Sequence, residues 1–291
     1  MKKQKKAGAS KSKRGGSGGK SGMFAPGEHI RVVPLHYPKP SVPLADLARK
    51  RPAKDKGDPF DGKPHAFAAG AHLSYNGGAL LTSVQVFTVF WGKKWGTASA
   101  KSVMADLNKF FQAILVSPAV DQLKEYSVPG QAIGYGSLVG TKVITAQAPV
   151  GSVTDSRIQT RLQGWIASKT VPKNNKNSLY FIYLDPGVVS ILSGSRSCQS
   201  FCGYHNNVGS IYYAVMPYPT CAGCLGGMQA LDALTGTSSH ELCEAITDPV
   251  PGAGWYDNVN GEIGDICAWN FKNVAGYNVQ LEWSNAANKC V

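Results

Sequence analysis

The chain has 291 residues, enough for one large domain with a substantial buried core, and no apolar run of about eighteen residues that could span a bilayer. Its net charge of +12 invites a nucleic-acid partner, but residues 1–57 hold 15 of the 30 Lys/Arg and only 3 of the 18 Asp/Glu. Residues 58–291 therefore carry 15 of each sign, and with no aromatic–basic platform in that neutral part nucleic acid is not the expected partner.

The first stretch, "MKKQKKAGASKSKRGGSGGKSG", is nearly all Lys, Gly and Ser, and residues 1–23 read as a disordered basic tail. Its readings are a solubilising tail or an arm for an anionic surface. No apolar h-region follows the lysines, so it does not read as a secretory signal. Residues 24–79 read as a Pro- and charge-rich linker or pro-segment, with one short strand at Ile30–Leu35. A single globular domain is expected over 80–291.

In that domain "SVQVFTVFWG" (83–92) is a run of β-branched and aromatic residues, a buried strand. A helix follows over 98–117, with Val103, Leu107, Phe110, Phe111 and Leu115 at helical spacing and Pro118 as its stop. "TKVITAQAP" reads as a strand, and "TDSRIQTRLQGWIAS" as an amphipathic helix capped by Thr154 or Asp155. "NSLYFIYLD" (177–185) and "SIYYAVMPY" (210–218) read as central strands, and "YNVQLEWS" as a last strand. Strands alternating with helices predict an α+β class with α/β-like alternation: a mixed sheet with helices packed on it.

All 7 cysteines lie beyond residue 197: Cys198, Cys202, Cys221, Cys224, Cys243, Cys267 and Cys290. Two close pairs and a distant pair suit a disulfide-stapled C-terminal half in an oxidising compartment. The competing reading is a structural zinc site built from "CQSFC" and "CAGC". Cys243 is left over, and is expected to be a buried free thiol.

The chemistry centres on "SSHELCEAITDP" (238–249). Asp232 is the predicted N-cap of a helix that runs to Thr247 and is ended by Asp248-Pro249. His240 and Glu244, four apart, project from one face a turn apart, so an imidazole nitrogen and a carboxylate oxygen can meet one cation. Glu241 lies about 100° round the helix, where metallohydrolases hold the base that takes a proton from metal-bound water. The competing reading is a solvated, charge-paired helix face. A third ligand must come from elsewhere, and "GWYDNVNGEIGDIC" (254–267) offers Asp257, Glu262 and Asp265. His205, in "CGYHN", is a fourth ligand or transition-state donor. Asp248 and Asp257 are accessory candidates. A carboxylate-rich ligand set weakens Lewis acidity and shifts preference from zinc toward manganese or calcium.

The pieces "VFTVFWGKKWG", "CQSFCGYH", "YPTCAGC", "SSHELCEAITDP", "GWYDNVNGEIGDICAW" and "VQLEWSNAANKC" together resemble the EXORDIUM-like, or phosphate-induced-protein, family over residues 80–291. The resemblance implies secretion and association with the cell wall or extracellular space. It implies a zincin-like helix at His240, Glu241 and Glu244, an acidic loop at Glu262 and Asp265, and disulfides Cys198–Cys202, Cys221–Cys224 and Cys267–Cys290. This chain departs from the family in lacking an export signal and in placing Cys243 where a small or acidic residue is usual. Two functional expectations follow. One is a secreted, metal-dependent hydrolase of the metallopeptidase kind, with His240, Glu244 and Asp265 or Glu262 holding a divalent metal, zinc first, and Glu241 as base, acting on a peptide or cell-wall polymer. The other is a monomeric extracellular binding or signalling protein whose metal and disulfides are structural.

Overall fold

The computed structural model describes residues 32–36 and 70–291. The tail assigned to 1–23 lies outside the described residues, as does most of the 24–79 segment. Six strands form one sheet: β1 (Val33–Pro34), β2 (Gln85–Trp91), β3 (Ser137–Ile144), β4 (Ser178–Leu184), β5 (Phe201–Val208) and β6 (Ile211–Met216). Their order is β1-β5-β6-β4-β2-β3. The pairs β3–β2, β2–β4 and β4–β6 are parallel, whereas β5 runs antiparallel to β6 and to β1. Three helices longer than two turns cover the sheet: α1 (Ala98–Ile114), α2 (Asp155–Ala167) and α3 (Ala230–Thr247). The mixed sheet with packed helices is the architecture that the alternation predicts.

The sequence of β4 shows why the sheet is enclosed. All seven of its residues are buried. Leu179, Phe181 and Tyr183 pack into one core with Leu107, Phe110 and Phe111 of α1 and with Leu242 and Ile246 of α3. Tyr180, Ile182 and Leu184 face the other way, against Ile158, Leu162 and Trp165 of α2. A strand with a core on both faces has no polar alternation, hence the continuous apolar run. The helix starts are set locally, since Thr97 accepts a hydrogen bond from the Ala100 amide and Thr154 from the Arg157 amide.

Several boundaries differ from expectation. α1 ends at Ile114, and Pro118 opens a separate short helix, Pro118–Gln122, at the first-turn position where its missing N–H costs nothing. Asp232 is not the cap of α3: the helix begins at Ala230 with Gln229 at the N-cap, and Asp232 sits in the first turn, where the helix dipole favours an acid. "YNVQLEWS" does not form one strand. Its first half is β8 (Tyr277–Gln280), hairpin partner of β7 (Phe271–Val274), and Trp283–Ser284 pairs with Lys289–Cys290. "CGYHN", for which the sequence predicts no element, forms the body of β5. Packing also begins before Leu80: Ala71 and Leu73 are in the core, and Ser74–Tyr75 pairs with Trp255–Tyr256.

The β7–β8 hairpin lies on the side of α3 away from the sheet, and residues 233–247 of the helix are buried throughout. Gly236 makes this contact feasible. A Cβ there would lie 2.8 Å from the Phe271 ring and 3.0 Å from the Asn278 amide nitrogen. The helix-propensity cost of this glycine is the condition for close hairpin packing.

The C-terminal half is stapled as expected, but two pairings are corrected. Cys198 bonds Cys221 and Cys202 bonds Cys224, whereas Cys267–Cys290 is as the resemblance implies. The short helix Ala222–Leu225 sets Cys221 and Cys224 beside the start of β5, with Cα–Cα distances of 5.7 and 5.3 Å across the two bridges. Joining segments 22 and 23 residues apart closes larger loops than bridging each close pair would, and so restricts the unfolded chain more. These bridges consume the thiols that the alternative zinc site needed. Cys243 is free and buried, as expected.

Leu242 is fully buried in the core shared by α1, α3 and the sheet. Leu242→Ala should lower the unfolding free energy by about 2–5 kcal/mol through the cavity it leaves, read as a lower denaturant midpoint with an unchanged slope.

A candidate metal centre

α3 carries His240, Glu241 and Glu244 inside the protein, each with 0% of its surface exposed. The solvated-face reading is thereby excluded. A buried carboxylate without compensation costs several kcal/mol, so a group of them demands partners. Two partners arrive from distant segments. His205 comes from β5, which lies under α3, and Glu262 from the loop after Trp255–Tyr256; both are buried.

The donor atoms converge. His240 Nε2 lies 2.8 Å from Glu244 Oε1. His205 Nδ1 lies 3.1 Å from Glu241 Oε2 and 3.4 Å from Glu244 Oε2, while its Nε2 lies 3.4 Å from Glu262 Oε1. Donors about 2.1 Å from one ion stand about 3.0–3.4 Å apart in octahedral or tetrahedral arrangement, so these separations suit ligands around a cation. His240, Glu241 and Glu244 form one group of donors mutually within 4.8 Å, and His205, Glu244 and Glu262 another.

Both imidazoles are oriented from behind. The Gln280 side-chain nitrogen donates to the Gly264 carbonyl at 3.0 Å, and its oxygen accepts from the Trp269 amide at 3.3 Å. His240 Nδ1 lies 3.1 Å from that oxygen and 2.8 Å from the Gln280 side-chain nitrogen, so the amide fixes the ring with Nε2 toward Glu244. His205 Nε2–H donates to the Asp248 carbonyl at 3.1 Å, which leaves Nδ1 toward Glu241 and Glu244. A ring N–H anchored on a carbonyl oxygen, with the opposite nitrogen aimed at acids, is the arrangement of a metal-ligating histidine. Gly264 lets the loop close over the pair, since a Cβ there would lie 2.9 Å from both Glu244 Oε1 and the His240 ring.

The remaining acids hold this frame. Asp265 Oδ2 accepts from the Glu262 amide at 3.0 Å and so fixes the neighbouring carboxylate; it belongs to neither donor group. Asp257 accepts from the amides of His72, Val259 and Asn260, which makes it the organiser of the loop's turn. Asp248 uses its carboxylate on the amides of Gly252, Ala253 and Gly254, and offers His205 only its backbone carbonyl. Sequence reasoning proposed the acids of this loop as a set, whereas the fold brings one of them, Glu262, to the imidazoles. Gln280 and Gly264 were missed altogether. A glutamine in a short strand carries no local sign that it will orient a histidine forty residues away.

The electrostatics follow from burial opposed by neighbours. Burial pushes His240 down, but the Glu244 carboxylate, helped by Glu241 and Asp265, raises it well above the usual imidazole value. Burial likewise lowers His205, and Glu262, Glu241 and Glu244 more than reverse this. Glu244 is raised by burial but held down at about 2 by the two histidines. Burial, reinforced by the surrounding acids, keeps Glu262 well above the carboxylate range. It also pushes Asp248 up to about 6, against the Gly254 and Gly252 amides. Without a metal, the two imidazoles are therefore protonated at neutral pH.

Two pH-dependent outcomes follow. Because the folded imidazole values are raised, their stabilisation of the metal-free protein is complete below about pH 6.5 and is lost as pH rises through the folded values. The thermal midpoint measured in chelator should therefore fall as pH rises above about 6.5. A cation must displace these protons, so binding near pH 7 should release on the order of one proton per imidazole engaged. Calorimetry in buffers of different ionisation enthalpy reads that number directly.

Glu241 and Glu244 occupy the positions of a zincin-like motif, with the second histidine of that motif replaced by a carboxylate. Compared with known proteins, the chain matches no family model, no curated protein and no solved structure, so the likeness to EXORDIUM-like proteins rests on its motifs alone.

Proposed function

We propose that this is a metal-binding protein of an oxidising, extracytoplasmic compartment. In this reading a buried divalent cation, held by His240, His205, Glu244 and Glu262, fastens α3, β5 and the loop 254–267 together. One observation carries it. Glu241 Oε1, Glu244 Oε2 and both carboxylate oxygens of Glu262 are buried with no hydrogen-bond partner, and Glu244 Oε1 lies 2.8 Å from His240 Nε2. Close-packed carboxylates with oxygens left bare in this way suit a cation as their common partner. Two imidazole nitrogens among the donors favour zinc or manganese over calcium, which takes oxygen ligands. Three disulfides suit the oxidising compartment, and among the described residues no helix is long and apolar enough to cross a membrane. Kinship with the EXORDIUM-like proteins is part of the same proposal and agrees with an extracellular role.

A hydrolytic role is the second reading, favoured by Glu241, whose Oε1 is unpaired beside the ligand pair. Glu241 would then take a proton from water next to the metal. The same burial weighs against a polymeric substrate, because every donor side chain is at most 1% exposed and a scissile bond has no way in without opening the loop 254–267.

The protein purified without chelator should carry at least one divalent metal per chain by elemental analysis, and Glu244→Gln should lose most of it. At a cation concentration about a thousand times Kd, binding stabilises the fold by about 4 kcal/mol. Chelation should accordingly lower the thermal midpoint by about 8–16 °C. Absence of metal from both purified and reconstituted protein would defeat the proposal. Peptide or polysaccharide hydrolysis that is lost in Glu241→Gln with metal retained would promote the second reading over the first.

A further inference from the structure

We propose that the centre holds two cations rather than one, bridged by Glu244. The inference rests on the metal-binding reading above and extends it to stoichiometry. It starts from the two donor groups, His240–Glu241–Glu244 and His205–Glu244–Glu262, which share Glu244 alone.

Glu244 has its two oxygens divided between two imidazoles. Oε1 lies 2.8 Å from His240 Nε2, and Oε2 lies 3.4 Å from His205 Nδ1. Each of these nitrogens is left toward the acids by a contact on the far side of its ring, between Nδ1 and the Gln280 amide in one case and from Nε2–H to the Asp248 carbonyl in the other. A carboxylate whose two oxygens each face a separate, pre-oriented imidazole has the form of a bridge, and two-metal sites of this kind set their ions about 3.5–4 Å apart. Glu241 stands between the groups, grouped with His240 while its Oε2 lies 3.1 Å from His205 Nδ1. Glu262 joins the second group from the loop side, its Oε1 lying 3.4 Å from His205 Nε2.

The unpartnered atoms divide the same way. Glu241 Oε1 is bare in the first group, where Glu244 Oε1 and His240 Nε2 face each other at 2.8 Å, and Glu244 Oε2 and both oxygens of Glu262 are bare in the second. All belong to side chains that are 0% exposed, so water does not satisfy them from outside. Charge balance points the same way. Once ionised as ligands beside neutral imidazoles, Glu241, Glu244 and Glu262 would carry three negative charges, with Asp248 and Asp265 nearby. One divalent ion leaves that region strongly negative, whereas two nearly neutralise it, and uncompensated charge in a dry interior is the costlier state.

The test is a metal count on the full chain after loading with Mn(II) or Zn(II) and removal of free ion. Two ions per chain are expected. Glu262→Gln and His240→Ala should each retain about one, since each disables one group, and Glu244→Gln should retain less than one. The Mn(II)-loaded protein should give the exchange-coupled, many-line paramagnetic-resonance signal of a bridged pair, a readout that needs no variant to fold. One ion per chain with an isolated six-line Mn(II) signal overturns the two-cation proposal and leaves metal binding standing. No bound ion overturns both.

Discussion

The structure depends on the burial of three glutamates and two histidines in one dry compartment between α3, β5 and the loop 254–267. Hydrophobic association can bring a helix onto a sheet, but it cannot by itself keep carboxylates out of water. The surroundings are arranged to meet that demand. Gln280 and the Asp248 carbonyl orient the imidazoles, the Asp265 carboxylate fixes the Glu262 backbone, and Gly264 lets the loop backbone close on the pair. The contacts that orient the imidazoles join segments forty or more residues apart, whereas the Asp265–Glu262 bond is local to the loop. The charged cluster is thus also what fixes the loop against the helix, and a cation at its centre would make that junction cooperative with the fold.

The remainder of the C-terminal half reads as support for that junction. The bridges Cys198–Cys221 and Cys202–Cys224 tie the start of β5, and hence His205, to the segment that leads into α3. Cys267–Cys290 ties the end of the acidic loop to the chain terminus, and the Trp283 amide donates to the Ile263 carbonyl. Gly236 lets the β7–β8 hairpin approach α3 closely enough for Gln280 to reach His240. A centre built from one helix, one strand and one loop is as precise as the cross-links between those elements, and here the cross-links lie directly behind the donors.

Burial also weighs on what kind of metal chemistry the centre can perform. A catalytic metal keeps a position open to substrate, whereas a structural one is closed by its ligands. Donors enclosed on every side belong with the second kind, and the shared, doubly faced Glu244 suits a compact carboxylate-bridged cluster. Glu241 is then better understood as a member of the cluster than as a base waiting for water.

Much of this was legible in the residues. The apolar runs at 85–91, 178–184 and 211–216 had to be buried strands, because nothing else removes such side chains from water. The i,i+4 spacing of His240 and Glu244 put an imidazole and a carboxylate on one helix face, and seven cysteines confined to the last third announced a stapled region with one thiol left over. These are local or compositional properties, and period and spacing report them directly. Which acid of the loop turns inward, that His205 joins the helix pair, and how four clustered cysteines pair were decided by tertiary structure. Each depends on the antiparallel placement of β5 beneath α3 and on the path of the loop back over it. Convergence of groups forty or sixty residues apart is a property of topology, and no periodicity within a segment encodes it.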